Sequence, residues 1–437
     1  VQDRNPEFRK IPQSDLKFRI RFQTAKHSSG DFSMKRRTFI RAINTLSAAA
    51  CFSALSYSRI PGANDRLGMA LVGSGRRGRE VMKAFLATER AELHCLCDVY
   101  DVQRNRAREF FNLKPVECVA LEEALARPDV DAVLIASPDH LHLTQTRAAL
   151  QAGKHVYLEK PTSHNFEEGA KFIEAVRKSG RVVQTGTQQR SGAHYKRAKE
   201  DFFDKGRLGK VVFARAVWHD FPWQRRKIEP QPKPAGLDWE RFLGPAPKVS
   251  YDWIRYDSWR YFPEYGGGLL ADILTHWADV AQWMMNDARP LSAVATGGIY
   301  QMKDGRVNPD TVNAVIQYGG GANGNWNLTF ESSVLPIRNE RPGVFFQGTE
   351  GTLDITRSGY VFKPNKGEPE IVETKENLEI AHATNFLNAL KNGSKPSADI
   401  QAGITACQPV HLAKAAYWKR KRLKFDASQS TMIEDSN

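Results

Sequence analysis

The chain reads as an α/β protein whose N-terminal half is a doubly wound, mainly parallel sheet. Three observations predict this. Residues 67–72 form an apolar run that ends in Gly73-Ser74-Gly75-Arg76-Arg77-Gly78, and residues 81–86 follow with helical spacing, giving strand, glycine turn and helix. A second apolar strand, residues 91–97, ends on an acid, Asp98, twenty residues beyond Gly78. Residues 130–136 are a continuous apolar run, as expected of a parallel strand covered on both faces.

The length of 437 residues, with 41% hydrophobic and 26% charged, suffices for two domains with full cores. The net charge of +14 is unevenly spread. Residues 1–60 hold twelve Lys and Arg against four Asp and Glu, a net of +8, so more than half of the excess sits in the leader. No zinc-finger spacing or aromatic-basic RNA motif accompanies it, and no nucleic-acid partner is expected. The basic residues 419–424 read as a solvated helix end feeding a last strand. Five cysteines, Cys51, Cys95, Cys97, Cys118 and Cys407, form no disulfide framework. Cys95 and Cys97 fall on one face of a strand as buried thiols, and without a second ligand pair no metal site is expected.

Residues 1–33 are polar and without hydrophobic period, and read as an extension upstream of Met34. Residues 34–62 read as an address: Lys35, Arg36 and Arg37 precede Thr38-Phe39-Ile40 and then seventeen uncharged, weakly apolar residues from Ala42 to Ser58. This resembles the bacterial twin-arginine signal, whose machinery exports folded proteins. The stretch is too short and polar for a permanent membrane span. An exported, periplasmic location is expected, or a cytoplasmic one if the signal reading fails.

In the first domain, residues 63–187, Gly73 permits the tight turn, Gly75 lets the backbone approach a pyrophosphate at the helix N-terminus, and Gly78 allows close helix–strand packing. Ser74, Arg76 and Arg77 share that turn. Asp98 stands where a ribose-binding acid belongs and favours NAD, while the nearby Asp101 and Arg104 keep NADP open. The run 130–136 leads to Ser137-Pro138-Asp139-His140-Leu141-His142, a helix over 143–152 closed by Gly153, a short strand over 155–158, and Glu159-Lys160-Pro161. Ser137, Pro138, His142, Glu159 and Lys160 thus reach the cofactor edge with the glycine turn. For His140 and His142, capping or packing is the plainer role.

The chain resembles the glucose–fructose oxidoreductase and inositol dehydrogenase family, Gfo/Idh/MocA. Three stretches carry the likeness: residues 73–78 with Asp98; residues 138–142 with Gly153-Lys154-His155-Val156 and Glu159-Lys160-Pro161; and residues 268–276, Gly-Leu-Leu-Ala-Asp-Ile-Leu-Thr-His. The resemblance spans roughly residues 66–425. It implies a Rossmann domain, then a second α/β domain over 188–425 with an open, mainly antiparallel sheet often used for homo-oligomers, before a tail over 426–437. It also implies that helices near 380–390 and 403–418 return toward the first domain, that Lys160 lies in the active site, and that the Lys160–Pro161 bond is cis.

Asp272 and His276 are four apart in a segment of helical spacing, which offers an acid/base pair on one face. The expected mechanism has His276 accepting a hydroxyl proton, Asp272 orienting the imidazole, Lys160 polarising the oxygen, and tightly bound NAD (or NADP) exchanging hydride with a secondary hydroxyl of a sugar, polyol or glycoside. Gln189 and Arg190, where the chain enters the second domain, are further candidates for binding substrate. Trp259, Arg260 and Tyr265 either bind sugar or serve packing and ion pairs, and the aromatic residues Tyr251, Trp253, Tyr256, Tyr261 and Phe262 are either a platform or a core. Two alternatives stay open: a redox-neutral NAD-dependent glycoside hydrolase acting through C3 oxidation and elimination, and a non-catalytic cofactor-binding regulator.

Overall fold

Short apolar runs build the first sheet, because strands buried on both faces must be apolar throughout. The computed structural model describes residues 66–226, 228–321, 324–426 and 431–435. Six parallel strands, β1 (Leu67–Val72), β2 (Ala91–Cys97), β3 (Val116–Cys118), β4 (Ala132–Ile135), β5 (His155–Leu158) and β6 (Val183–Thr185), lie in the order β3-β2-β1-β4-β5-β6. The helices of ten or more residues that cross between them are α1 (Arg76–Leu86), α2 (Asp101–Phe111), α3 (His142–Gln151) and α4 (Glu168–Ser179). The strand order reverses between β1 and β4, the place where such sheets open a crevice at their carboxyl ends. Gly73, Asp98, Ser137 and Glu159 each follow closely on one of those ends.

The second sheet has ten strands: β7 (Val211–Val217), β8 (Pro290–Gly298), β9 (Thr311–Gly321), β10 (Gly324–Ser333), β11 (Gly343–Gly348), β12 (Gly351–Thr356), β13 (Gly359–Pro364), β14 (Glu370–Glu373), β15 (Leu423–Asp426) and β16 (Thr431–Glu434). Their order is β14-β13-β12-β11-β7-β10-β9-β8-β15-β16, and only the β7/β10 pair is parallel. Along β10, buried Trp326, Leu328 and Phe330 alternate with more exposed neighbours, so one face carries the core. Helix α5 (Thr275–Met285) covers that face with Trp277, and Trp326 stacks on Tyr318 at 4.1 Å. The residues just before α5, Leu270–Leu274, form a π-helical turn where the spacing predicts plain α-helix.

Helices α6 (Leu378–Asn392) and α7 (Ile400–Lys419) return to the first sheet, as expected. Phe386 of α6 packs edge-on against Phe85 of α1, and Ile400 and Ile404 of α7 join the core under β5 and β6. Thr431–Glu434, expected as tail, adds β16 to the sheet edge, where Lys421 pairs with Glu434 at 2.5 Å. The aromatic residues near 251–265 form their own small core with Trp239 and Phe242. Cys95, Cys97, Cys118 and Cys407 are buried thiols, and Cys95 and Cys97 share one side of the sheet. Among the described residues no helix is long and apolar enough to cross a membrane, and no His, Cys, Asp and Glu group is placed to hold a metal. The leader, with Arg36, Arg37 and Cys51, lies outside the described residues.

A Cβ on Gly78 would stand 2.1 Å from the Gly73 carbonyl oxygen, so α1 can lie on β1 only without a side chain there. Gly78→Ala is expected to cost about 1–3 kcal/mol of stability, read as a lower urea midpoint at unchanged m-value.

Candidate active site

The ends of β1, β2, β4 and β5 open on a cleft of about 1000 Å³, walled on its far side by Trp218, Trp259, His276 and Arg357 from the second half of the chain. That is the upper end of the range of about 300–1,000 Å³ for small-ligand sites.

Gly73 has φ +86°, and a Cβ there would lie 2.7 Å from the Ala136 carbonyl carbon, so both the turn and the approach of β4 require glycine. Gly75 caps α1 without a side chain, and nothing stands within 4 Å of where its Cβ would project. The first turn of α1 contains no acid, and Arg76 stands there while Arg77 turns to Glu159 and Glu379, so the helix dipole and Arg76 favour an anion. This cradle fits a pyrophosphate. Beside it, the Asp98 carboxylate accepts hydrogen bonds from the amides of Ser74 at 2.7 Å and Tyr100 at 3.0 Å. Burial pushes its carboxyl up to about 6, against the pull of those two amides. Arg104 donates to the Asp98 carbonyl and lies 3.6 Å from Glu117, so it is engaged by the chain itself, which favours NAD over its phosphorylated form.

At the other end, Lys160 follows β5 and is joined to Pro161 by a cis bond. Its Nζ donates to the Asp272 carboxylate at 2.5 Å and to the Asp272 carbonyl at 2.8 Å. Arg260 donates to the second carboxylate oxygen at 3.1 Å. Burial alone would raise the Asp272 carboxyl; Arg260 and Lys160 outweigh it and hold the group well below the usual carboxylate range. This overturns the expected Asp272–His276 pair. Two full cations outcompete a neutral imidazole for one carboxylate, and His276 Nδ1 is buried with no partner. His276 itself is kept neutral, well below its ordinary value, by burial and by Lys160, Arg357 and Arg77. It lines the cleft 5.9 Å from the Trp218 ring, centre to centre.

Other expected site residues fall elsewhere. Tyr265 is fully buried in the aromatic core, between His140 and Phe242. Gln189 is also fully buried, and its neighbour Gln188 is the one that borders the cleft. Arg190 pairs with buried Asp279 at 2.8 Å and stacks on Trp283, away from the cleft. His142 is buried with its ring nitrogens against the carbonyls of Pro161 and Ser137, at 2.8 and 3.0 Å, so it ties two cleft loops together instead of touching ligand. The Ser74 hydroxyl is buried, and that residue acts through its amide. Ser137, Pro138 and Glu159 line the cleft. Arg76 lines it under Trp223, and Arg77 lines it while paired to Glu159 and Glu379. Trp259 and Arg260 line it stacked on each other, 4.1 Å from guanidinium carbon to ring centre.

Three further cleft residues escape sequence reasoning. Asp139 sits inside the 138–142 motif, and burial raises its carboxyl to about 7 against the pull of Arg260. Trp218 leaves the end of β7, and Arg357 the turn between β12 and β13; neither lies in a motif.

Two models of one protein family match this architecture. The oxidoreductase family with an NAD-binding Rossmann fold, GFO/IDH/MocA, matches residues 67–187, and the C-terminal domain of the same family matches residues 195–354. The chain belongs to the Gfo/Idh/MocA oxidoreductase family. It is an NAD(P)-dependent enzyme, and its Rossmann domain is the NAD-binding part. Similar family members include 1,5-anhydro-D-fructose reductase of Ensifer adhaerens, 29% identical over 65% of this chain and 77% of that protein. Myo-inositol 2-dehydrogenase of Thermotoga maritima is 24% identical over 82% and 98%. Among solved structures, aldose-aldose oxidoreductase from Caulobacter crescentus complexed with glycerol shares the fold at TM-score 0.64 and 20% identity, over 82% of this chain and 99% of that one.

Because the Asp98 carboxyl titrates near 6 and the ribose needs its ionised form, NAD affinity is expected to hold above pH 6 and to fall about tenfold by pH 5. Fluorescence titration of NAD at pH 5 and 7.5 measures this, and Asp98→Asn is expected to remove the difference.

Proposed function

We propose that this enzyme transfers a hydride between NAD and a secondary hydroxyl of a sugar, polyol or glycoside, and that it is exported by the twin-arginine route with the cofactor tightly bound. The observation that carries the first part is the meeting of Lys160 and His276 at one end of a cleft whose other end holds the glycine cradle and Asp98. Bound NAD supplies the hydride acceptor or donor. The glycine turn and α1 hold its pyrophosphate and Asp98 its ribose. Lys160, fixed by Asp272, presents its ammonium to the reacting oxygen and stabilises developing alkoxide charge. Neutral His276 takes the hydroxyl proton. Asp272 positions Lys160, and Arg260 shares its charge. The relatives named for anhydrofructose, inositol and aldoses support a sugar or polyol substrate.

Export rests on Arg36 and Arg37 and the weakly apolar stretch behind them. A tightly held cofactor suits a compartment poor in soluble nicotinamide nucleotides. Self-association through the uncovered face of the ten-stranded sheet belongs to the same proposal, since the cross-strand partners Val294 and Val315 are exposed there. A redox-neutral glycosidase is the second reading. Asp139 favours it, because a carboxyl titrating near 7 at the cleft wall is a ready acid for a departing aglycone.

His276→Ala is expected to lower kcat about 10²- to 10⁴-fold while NAD binding stays within about threefold, measured by stopped-flow absorbance at 340 nm and by NAD titration. Loss of NAD binding together with activity would contradict the role assigned to His276. Release of aryl aglycone with no net NADH would decide for the glycosidase.

A further inference from the structure

Arg357 and Ser358 form the two-residue tip of the β12–β13 hairpin, and this tip reaches over the substrate end of the cleft. The tip is held from several sides. His194 Nε2 contacts the Thr356 carbonyl at 3.0 Å, the Ser358 amide donates to Thr356 Oγ1 at 3.2 Å, and the Thr374 amide donates to the Ser358 carbonyl at 2.9 Å. The Arg357 guanidinium lies 4.8 Å from the centre of the Trp218 ring, the same indole that stands beside His276. It is therefore fixed close to the proposed base.

The cations around it are paired. Lys160 and Arg260 share Asp272, and Arg77 spans Glu159 and Glu379. Glu379 also accepts from Gln188 at 2.7 Å. Among the described residues Arg357 has no hydrogen bond and no ion pair, and its Nε is buried without a partner. Arg357 is half-buried, with Glu379 and Glu159 acting on it only at longer range; its unpartnered guanidinium at the cleft wall is left for a ligand anion to complete. Glu159, Glu379, Asp272 and Asp139 already stand at this end of the cleft, so a singly charged carboxylate suits it better than a doubly charged phosphate monoester. Guanidinium also matches the planar, two-oxygen geometry of carboxylate.

We infer that Arg357, laid on Trp218, is a carboxylate-reading residue, and that the substrate is an acidic sugar such as a hexuronate or aldonate. This rests on the hydride-transfer reading above and narrows its substrate class.

The test compares D-glucuronate and D-galacturonate with their methyl esters, their parent aldoses and the corresponding 6-phosphates, in wild type, Arg357→Gln and Arg357→Lys, all loaded with NAD. The expected result is a preference of about 10- to 100-fold in kcat/KM for a uronate over its methyl ester, carried mainly by KM. It falls to within about threefold in Arg357→Gln and is partly restored in Arg357→Lys. Equal kcat/KM for acid and ester in wild type, a preference that survives Arg357→Gln, or a stronger preference for sugar phosphates overturns the proposal and leaves hydride transfer standing. If no hydroxylated substrate changes the nicotinamide absorbance, the hydride reading fails instead, and calorimetric titration with glucuronate still decides Arg357. Binding by wild type that is lost in Arg357→Gln supports the assignment, and no binding by wild type overturns it.

Discussion

The contact on which the site depends is the buried ion pair between Lys160 and Asp272. Lys160 follows the fifth strand of the parallel sheet, and Asp272 stands in the π-helical turn that leads into the helix lying on the second sheet. A carboxylate and an ammonium at 2.5 Å, with a second bond to the carbonyl of the same aspartate, leave the lysine little freedom. A pair this buried is a poor source of net stability, because its desolvation offsets much of its attraction. Its value lies in placement. It fixes where the ammonium points, joins the two halves of the cleft at the reacting centre, and leaves His276 free to act as a neutral base.

From that point the cleft sorts itself by charge. Near the glycine turn, the helix N-terminus and Arg76 favour an anion, and Asp98 supplies the acid suited to hydroxyl donors. Around Lys160 each cation touches a carboxylate, Lys160 and Arg260 sharing Asp272, with the exception of Arg357. Asp139, whose carboxyl titrates near neutrality, borders the same region. The first end is built for a dinucleotide, and the second, on the reading proposed above, for a small hydroxylated molecule with a negative charge of its own.

Much of the first half was legible in the sequence because its constraints are local. Gly73, Gly75 and Gly78 each answer a separate demand on backbone or packing, and the spacing to Asp98 reflects one helix and one strand. Apolar runs located β4 and β5 for the same reason. The second half was harder to read. The i, i+4 spacing of Asp272 and His276 suggested a pair, but spacing along one helix cannot show that Lys160, 112 residues earlier, reaches the carboxylate first. Tyr265 and Arg190 carry the same groups that sugar sites use, and only packing reveals that one lies in a core and the other on Asp279. Arg357 sits on a hairpin tip with no motif, and its place beside His276 follows from the strand order of a ten-stranded sheet.

The most direct measurement on the central claim is a double-mutant cycle in kcat/KM between Lys160→Met and Asp272→Asn. If Asp272 acts through Lys160, Asp272→Asn lowers kcat/KM in the wild type but costs little more once Lys160 is gone. If Asp272 serves His276 instead, the two losses multiply, and the assignment of Asp272 to Lys160 is contradicted.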